Sequence, residues 1–210
     1  MPKLSEGVRL HDDGVKRCHW CGDDPLYQRY HDDEWGVPAT YDRRLFEKIC
    51  LEGFQSGLSW LVVLRKRDQF RNVFHDFDWQ RVARFTQKDV ARLLDDPGII
   101  RHRGKIESTV NNARCMQEHF DAPGALASFV WAFEPPADDT PRTSQQLREN
   151  TTHPESTRLS TELKKRGFSF VGPTTCYAFM QALGLVDDHI AGCDAELRCR
   201  KARKALRRPV

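Results

Sequence analysis

Nothing in this 210-residue chain approaches the 18 or so consecutive apolar residues that cross a bilayer. The N-terminus, Met1-Pro-Lys-Leu-Ser-Glu-Gly7, lacks the apolar centre of a secretory signal. There is no internal repeat and no low-complexity tract. Few segments alternate apolar and polar residues with period two, so a large sheet is not expected. The seven cysteines are odd in number and lack the pattern of a secreted disulfide framework. A cytoplasmic, reducing setting is expected, with thiols free or bound to metal and no membrane association. What remains is an all-α or mostly α chain of one large domain or two small ones, with ample material for a core.

The net charge of +3 conceals an asymmetry. From Leu197 onward the tail carries seven cations and no acid, which leaves 26 basic residues against 30 acidic ones in the rest. A polyanion would therefore meet local basic patches on a near-neutral body. The expected organisation is a polar, poorly ordered extension over 1–16, a helical body over 17–196, and a basic tail over 197–210, either solvated or a nucleic-acid arm.

Helical periodicity is clearest after Pro38. Asp42 is a candidate N-cap, with Leu45, Phe46, Ile49 and Cys50 on one face of a helix reaching about Gly57. Ser59 caps a second helix running from Trp60 to Phe74, and the short link leaves Leu58 on an exposed corner. Thr86 and Asp89 form a capping-box start for a helix stopped by Asp95-Asp-Pro-Gly98. Another helix is expected from Ile99 to Phe120, and a short one over 125–133. Between Asp121 and Ser160 a Pro-, Thr-, Ser- and Asp-rich stretch reads as a long mobile loop. A helix over 161–166 ends at Gly167, and one from Thr174 ends at Gly184.

Three constellations carry chemistry. Cys18 and His31, with His189 and Cys193 at i, i+4 far along the chain, supply the two thiols and two imidazoles of a tetrahedral zinc site. The alternative is buried free cysteines with core histidines, and Cys21 competes with Cys18. The helix–turn–helix around Gly167 to Gly184 can offer backbone N–H groups and a helix dipole, from Gly172 and Thr174, to a phosphate. Lys164, Lys165 and Arg166 stand just upstream, although an ordinary αα-corner has the same pattern. Glu52 is an acid inside an apolar helix. With Trp20, Tyr27, Tyr30 and Trp60 it could edge an aromatic slot for a flat cationic ring, or it could be a surface acid beside core aromatics.

Taken together and in order, Trp20, Pro25-Leu-Tyr27, Tyr30-His-Asp32, Glu34-Trp-Gly-Val-Pro38, Leu51-Glu-Gly53, Gly57-Leu-Ser-Trp60, Gly98-Ile-Ile-Arg-His-Arg-Gly-Lys-Ile106, Lys164-Lys-Arg-Gly-Phe168, Phe170-Val-Gly172 and Asp188-His189 with Cys193 are similar to the type I 3-methyladenine DNA glycosylases. The resemblance spans about Arg17 to Cys193. It implies the helix-hairpin-helix glycosylase fold, with one structural zinc per chain on Cys18, His31, His189 and Cys193 clasping the two ends of the body together. It implies Glu52 as the catalytic, base-binding carboxylate within walls of Trp20, Tyr27, Tyr30 and Trp60. It also implies a monomer acting on double-stranded DNA that contains alkylated bases. The reaction is monofunctional hydrolysis of the N-glycosidic bond of 3-methyladenine after base flipping. Leu58 is expected to fill the gap left in the stack, and Lys164, Lys165, Arg166, Gly172 and Thr174 to contact DNA.

Two departures bear on selectivity and chemistry: Phe54 near the pocket, and Asp187, which either approaches the position of a catalytic aspartate in the wider superfamily or simply caps the helix of the zinc site. Two other readings are a damage-binding module that does not hydrolyse and a hydrolase with a catalytic metal.

Overall fold

The computed structural model describes residues 4–136, 138 and 140–209. Helices dominate. An antiparallel hairpin, β1 (Val8–Leu10) and β2 (Lys16–Cys18), places Val8 opposite Cys18. There follow α1 (Pro25–Asp33), α2 (Asp42–Gln55), α3 (Trp60–Val73), α4 (Trp79–Val82), α5 (Gln87–Asp95) and α6 (Arg103–His119). The second half holds α7 (Ala125–Trp131), α8 (Ser144–Glu149), α9 (Pro154–Lys165), α10 (Pro173–Ala182) and α11 (Asp194–Ala205).

The central element is α2. Its apolar face was legible, but burial runs all round: every residue from Leu45 to Phe54 is buried, including Glu47, Lys48 and Glu52. A helix enclosed on all sides must satisfy its charges with neighbours, and each of these three has an ion-pair partner. Glu34, at the end of α1, takes two hydrogen bonds from Arg67 of α3, at 2.6 and 2.8 Å, and one from Arg44 of α2 at 2.6 Å. Burial opposes ionisation of this carboxyl, yet the two guanidiniums hold it at about 2. This clamp fixes α1 against α2 and α3, and so fixes where the tyrosines of α1 point.

Asp42 is not the N-cap of α2; Tyr41 is, and Asp42 is its first helical residue. Its carboxylate accepts instead from Gly124 N at 2.7 Å and Ala127 N at 2.8 Å, so it caps α7 from a distant point in the chain. Asp42→Ala therefore loses a tertiary cap and should lower unfolding free energy by about 1–2 kcal/mol in denaturant titration, with the slope unchanged.

Other boundaries differ from expectation. Thr86 and Asp89 do form the capping box, and Ser59 is the N-cap of α3. The helix expected from Ile99 begins at Arg103, because His102 takes the N-cap and accepts from Lys105 N. The stretch expected as a mobile loop holds α8 and the start of α9; Thr143 with Gln146, and His153 ahead of Pro154, supply their caps. The segment read as poorly ordered contributes β1. The basic tail folds as α11, tied to the body by Arg200–Asp187 at 3.0 Å and Arg203–Glu134 at 3.1 Å.

One close approach sets the geometry beside the site. Gly36 and Gly184 both have positive φ, +79° and +73°. A Cβ on Gly184 would come 2.7 Å from Gly36 O, and one on Gly36 would come 2.9 Å from His189 Nε2. Only glycine lets these backbones touch.

Candidate active site

Glu52 and the four aromatics named from the sequence come together around one cavity of about 290 Å³. Tyr27 and Tyr30 are presented by α1, whose start is fixed by Asp24 capping Leu26 N and Tyr27 N ahead of Pro25. Glu52 comes from α2 and Trp60 from the first turn of α3, while Trp20 lies in the 3₁₀ turn after β2. Trp20 meets Tyr27 and Trp35 edge to face, at centroid distances of 5.2 and 4.9 Å, and Tyr30 meets Trp60 at a tilt, at 5.3 Å. Burial, then the Glu52 charge, raises Tyr30 well above the phenol range, and Tyr27 to about 12 mainly through burial, so both remain O–H donors.

Glu52 is 4% exposed and is not a lone anion. Lys48, one turn earlier on α2, donates to Glu52 Oε1 at 2.7 Å and to Tyr30 Oη at 2.9 Å. Its Nζ also lies 3.3 Å from the Trp60 ring centroid. Burial lowers the lysine to about 8, against the pull of Glu52. Among the described residues no hydrogen bond reaches Glu52 Oε2, and Trp60 Nε1 is buried without a partner. A carboxylate oxygen and two phenols are therefore the polar groups of this set that border the cavity.

The sequence reading missed Lys48, whose signal was its i, i+4 spacing to Glu52. It also missed Trp35, His19, Gln55, Ser144, Leu147, Arg148, Ala178 and Gln181, which complete the lining. Three of these come from α8, inside the stretch read as a mobile loop. Phe54 does not face the cavity. It is fully buried, 4.4 Å from the Phe70 ring and 6.2 Å from that of Phe74. Asp187 is held by Arg200 at 3.0 Å and is absent from the lining.

Behind the aromatic wall, Cys18, His31, His189 and Cys193 are all buried, with one donor atom of each within 4.8 Å of the others. Such a group could hold a metal ion. Cys193 Sγ is 3.4 Å from His31 Nε2 and 3.7 Å from His189 Nδ1, and Cys18 Sγ is 3.8 Å from His189 Nδ1. Tetrahedral bonds of zinc to sulfur and nitrogen imply ligand separations of roughly 3.3–3.8 Å, so the donor set fits. The outer contacts fit as well. Asp32 Oδ1 lies 2.8 Å from His31 Nδ1, and Trp35 O lies 3.1 Å from His189 Nε2. Carboxylate and carbonyl can only accept there, so each imidazole carries its proton outward and turns its lone pair to the centre. Ile190 N donates to Cys18 Sγ at 3.3 Å, as a thiolate requires.

The remaining expected residues lie on the surface. Leu58 is 42% exposed at the corner between α2 and α3. Lys164 is exposed and without an ion-pair partner among the described residues, whereas Lys165 and Arg166 are tied to Glu162 at 2.7 and 2.8 Å. Gly172 is the N-cap of α10 and Thr174 is exposed in its first turn. The hairpin turn before them holds Phe170 at φ +55°, a left-handed conformation unusual for an aromatic residue.

Comparison with known proteins agrees with this geometry. The methyladenine glycosylase family model matches residues 20–196. DNA-3-methyladenine glycosylase 1 of Escherichia coli (strain K12) is 49% identical over 179 residues, 85% of this chain and 96% of that protein. DNA-3-methyladenine glycosylase of Haemophilus influenzae is 46% identical over 181 residues, 84% of this chain and 96% of that one. Among solved structures, the chain is similar to the 3-methyladenine DNA glycosylase I of Staphylococcus aureus, described for its recognition of 3-methyladenine, at TM-score 0.80 and 35% identity over 86% of this chain and 96% of that one. With a matching family model, two relatives near half identity and the site residues assembled, this chain belongs to the type I 3-methyladenine DNA glycosylase family.

Proposed function

We propose that the protein excises 3-methyladenine from double-stranded DNA by hydrolysing its N-glycosidic bond, with Glu52 as the carboxylate that receives the base. The observation that carries this reading is Glu52 at the cavity, with Oε1 fixed by Lys48 and Oε2 free, among Trp20, Tyr27, Tyr30 and Trp60.

Methylation at N3 leaves the adenine ring cationic, so the bond to the sugar is already weakened. The base leaves with the bonding electron pair and becomes neutral, water bonds C1′, and its proton passes to solvent. The protein need not protonate the leaving group strongly. It must extrude the nucleotide, which costs least for a damaged base, and hold the ring between aromatic faces. Glu52 Oε2 accepts from the exocyclic amine, and the rings attract its positive face-on charge. Leu58 fills the vacated place in the stack. Phosphates are held by the N-terminus of α10 at Gly172 and Thr174 and by Lys164, with Lys165 and Arg166 contributing once released from Glu162.

Cys18, His31, His189 and Cys193 hold one structural zinc, which joins β2 and α1 to the segment before α11 and supplies no chemistry to the reaction. Four protein ligands close the site to water. The reaction is monofunctional. The lysine against the pocket, Lys48, commits its ammonium to Glu52, Tyr30 and Trp60 and does not line the cavity.

The test is incubation with N-methylated duplex DNA, with released bases and strand integrity followed together. Free 3-methyladenine with an abasic but unbroken strand is expected. Tight binding of damaged DNA without base release would overturn the reading in favour of a damage-binding module.

A further inference from the structure

The seven cations that follow Leu197 divide into two sets. Three hold the fold: Arg200 meets Asp187 and Glu196 at 3.0 Å each, and Arg203 and Arg208 meet Glu134 at 3.1 and 2.7 Å. The other four, Arg198, Lys201, Lys204 and Arg207, recur at every third residue and are exposed. Among the described residues none of them has an ion-pair partner. At about 100° per residue, Arg198, Lys201 and Lys204 fall within about 120° of arc on α11, on the side turned away from Arg200 and Arg203.

The helix dipole accounts for Lys204, in the last turn, but its pull fades before Lys201 and Arg198. Like charges three residues apart repel, and a face built only for solubility mixes in acids. Asp194, the acid of α11 on this side, stands in the first turn and accepts from Lys16 N at 2.8 Å. The row begins just past the family match, which ends at residue 196.

It also lies at the other end of the body from Leu58. The Arg208 guanidinium sits 5.8 Å from the Trp131 ring, and Trp131 Nε1 donates to Ala39 O at 2.9 Å, just before α2 begins. Leu58 stands beyond the opposite end of α2, whose 14 residues span about 21 Å. A duplex lying along Leu58 does not reach round to α11.

We propose that the outer face of α11 binds a second DNA duplex, so that one molecule engages a lesion at the Leu58 end while holding another segment behind it. The contact is to phosphates, without base readout. A protein partner asks for apolar and aromatic anchors at the centre of its interface, and this face offers one leucine, Leu197, 65% exposed among the cations. A duplex asks only for charge.

The test immobilises a duplex carrying a tetrahydrofuran abasic analogue, loads the full-length protein, and passes undamaged duplex over it. One soluble duplex per bound protein should be captured, its affinity falling with salt at a log–log slope of about −3.6 for four phosphates. Arg198→Gln, Lys201→Gln, Lys204→Gln and Arg207→Gln combined should abolish capture while single-turnover excision of 3-methyladenine stays within about twofold. Replacing four exposed cations elsewhere, Arg81, Arg84, Lys88 and Arg92, with glutamine should leave capture intact. Capture that is absent from the unaltered protein, that survives the first set of replacements, or that is lost equally with the second overturns the proposal. So does capture of poly-glutamate or of phosphatidylglycerol vesicles in place of duplex, which would give the face to an acidic protein or to a membrane. Should the protein not stay on the immobilised duplex, the DNA docking proposed at Leu58 fails. Titration of undamaged duplex in solution then decides α11, by whether the same four replacements flatten the salt slope.

Discussion

Glu52→Gln should reduce single-turnover release of 3-methyladenine by about a hundredfold while leaving binding to undamaged duplex unchanged. The amide can still accept a hydrogen bond but no longer offers a charge, and hydrogen bonds to charged groups are worth about 1.5–3 kcal/mol. The loss is compounded by what remains. With the carboxylate gone, Lys48 is a buried cation without a counterion, 3.3 Å from the ring against which the base would stack. Single-turnover excision on methylated duplex measures the effect. A rate within about threefold of the unaltered enzyme would mean that the ring is held by stacking and shape, and that Glu52 is structural.

The same substitution carries a stability prediction that separates the two roles of Glu52. Breaking a buried ion pair by removing one member typically costs about 3–5 kcal/mol, whereas replacing both members with neutral groups is often close to neutral. Glu52→Gln alone should therefore melt well below the unaltered protein at neutral pH. Raising the pH toward about 8 should recover part of the difference, because the variant's Lys48, without Glu52 to raise it, loses its proton before that of the unaltered protein does. Combining Glu52→Gln with Lys48→Met should restore most of the stability without restoring excision. Equal destabilisation in the single and double variants would show that the pair is not coupled.

These pairs explain what could be read from the sequence and what could not. Cys18, His31, His189 and Cys193 offered two thiols and two imidazoles, but their split spacing matches no standard finger, and it was the resemblance to the glycosylase family that singled them out; the structure gathers the four. Glu52 was legible as an acid without an evident reason to lie in an apolar helix. Lys48 escaped because a Lys–Glu pair at i, i+4 is the ordinary signature of a solvated helix face, and only the packing of α1 and α3 over α2 turns that face inward. The same holds for Asp42, whose capping partner, α7, lies more than eighty residues away. The pocket rim was missed for a different reason. Ser144, Leu147 and Arg148 lie in a stretch whose Pro, Thr and Ser content reads as loop, although Thr143 and Gln146 already spelled a capping box. Periodicity finds helices with a broad apolar face, and α8 is too short to have one.

Loss of the metal should be the most damaging change of all, and its damage should reach the base pocket without touching Glu52. Trp20 sits 5.2 Å from His31, and Trp35 sits 4.7 Å from His189, so the aromatic wall is packed directly on the imidazoles that would hold zinc. A structural zinc site of this type contributes on the order of 10 kcal/mol to folding, comparable to the whole stability of a domain. Without a cation, the Cys18 thiol donates to Cys193, lowering the latter and raising the former, so that the buried pair carries a single negative charge. Metal analysis of the purified protein should give one zinc per chain, and Cys193→Ser should fail to retain it. Removing the ion with a strong chelator should lower the melting temperature by tens of degrees and expose tryptophan fluorescence to solvent quenchers, and zinc should reverse both effects. Glu52→Gln should keep its zinc, which separates the clasp from the chemistry. A metal-free protein that melts where the holoprotein does, yet has lost excision, would instead place the ion in the reaction.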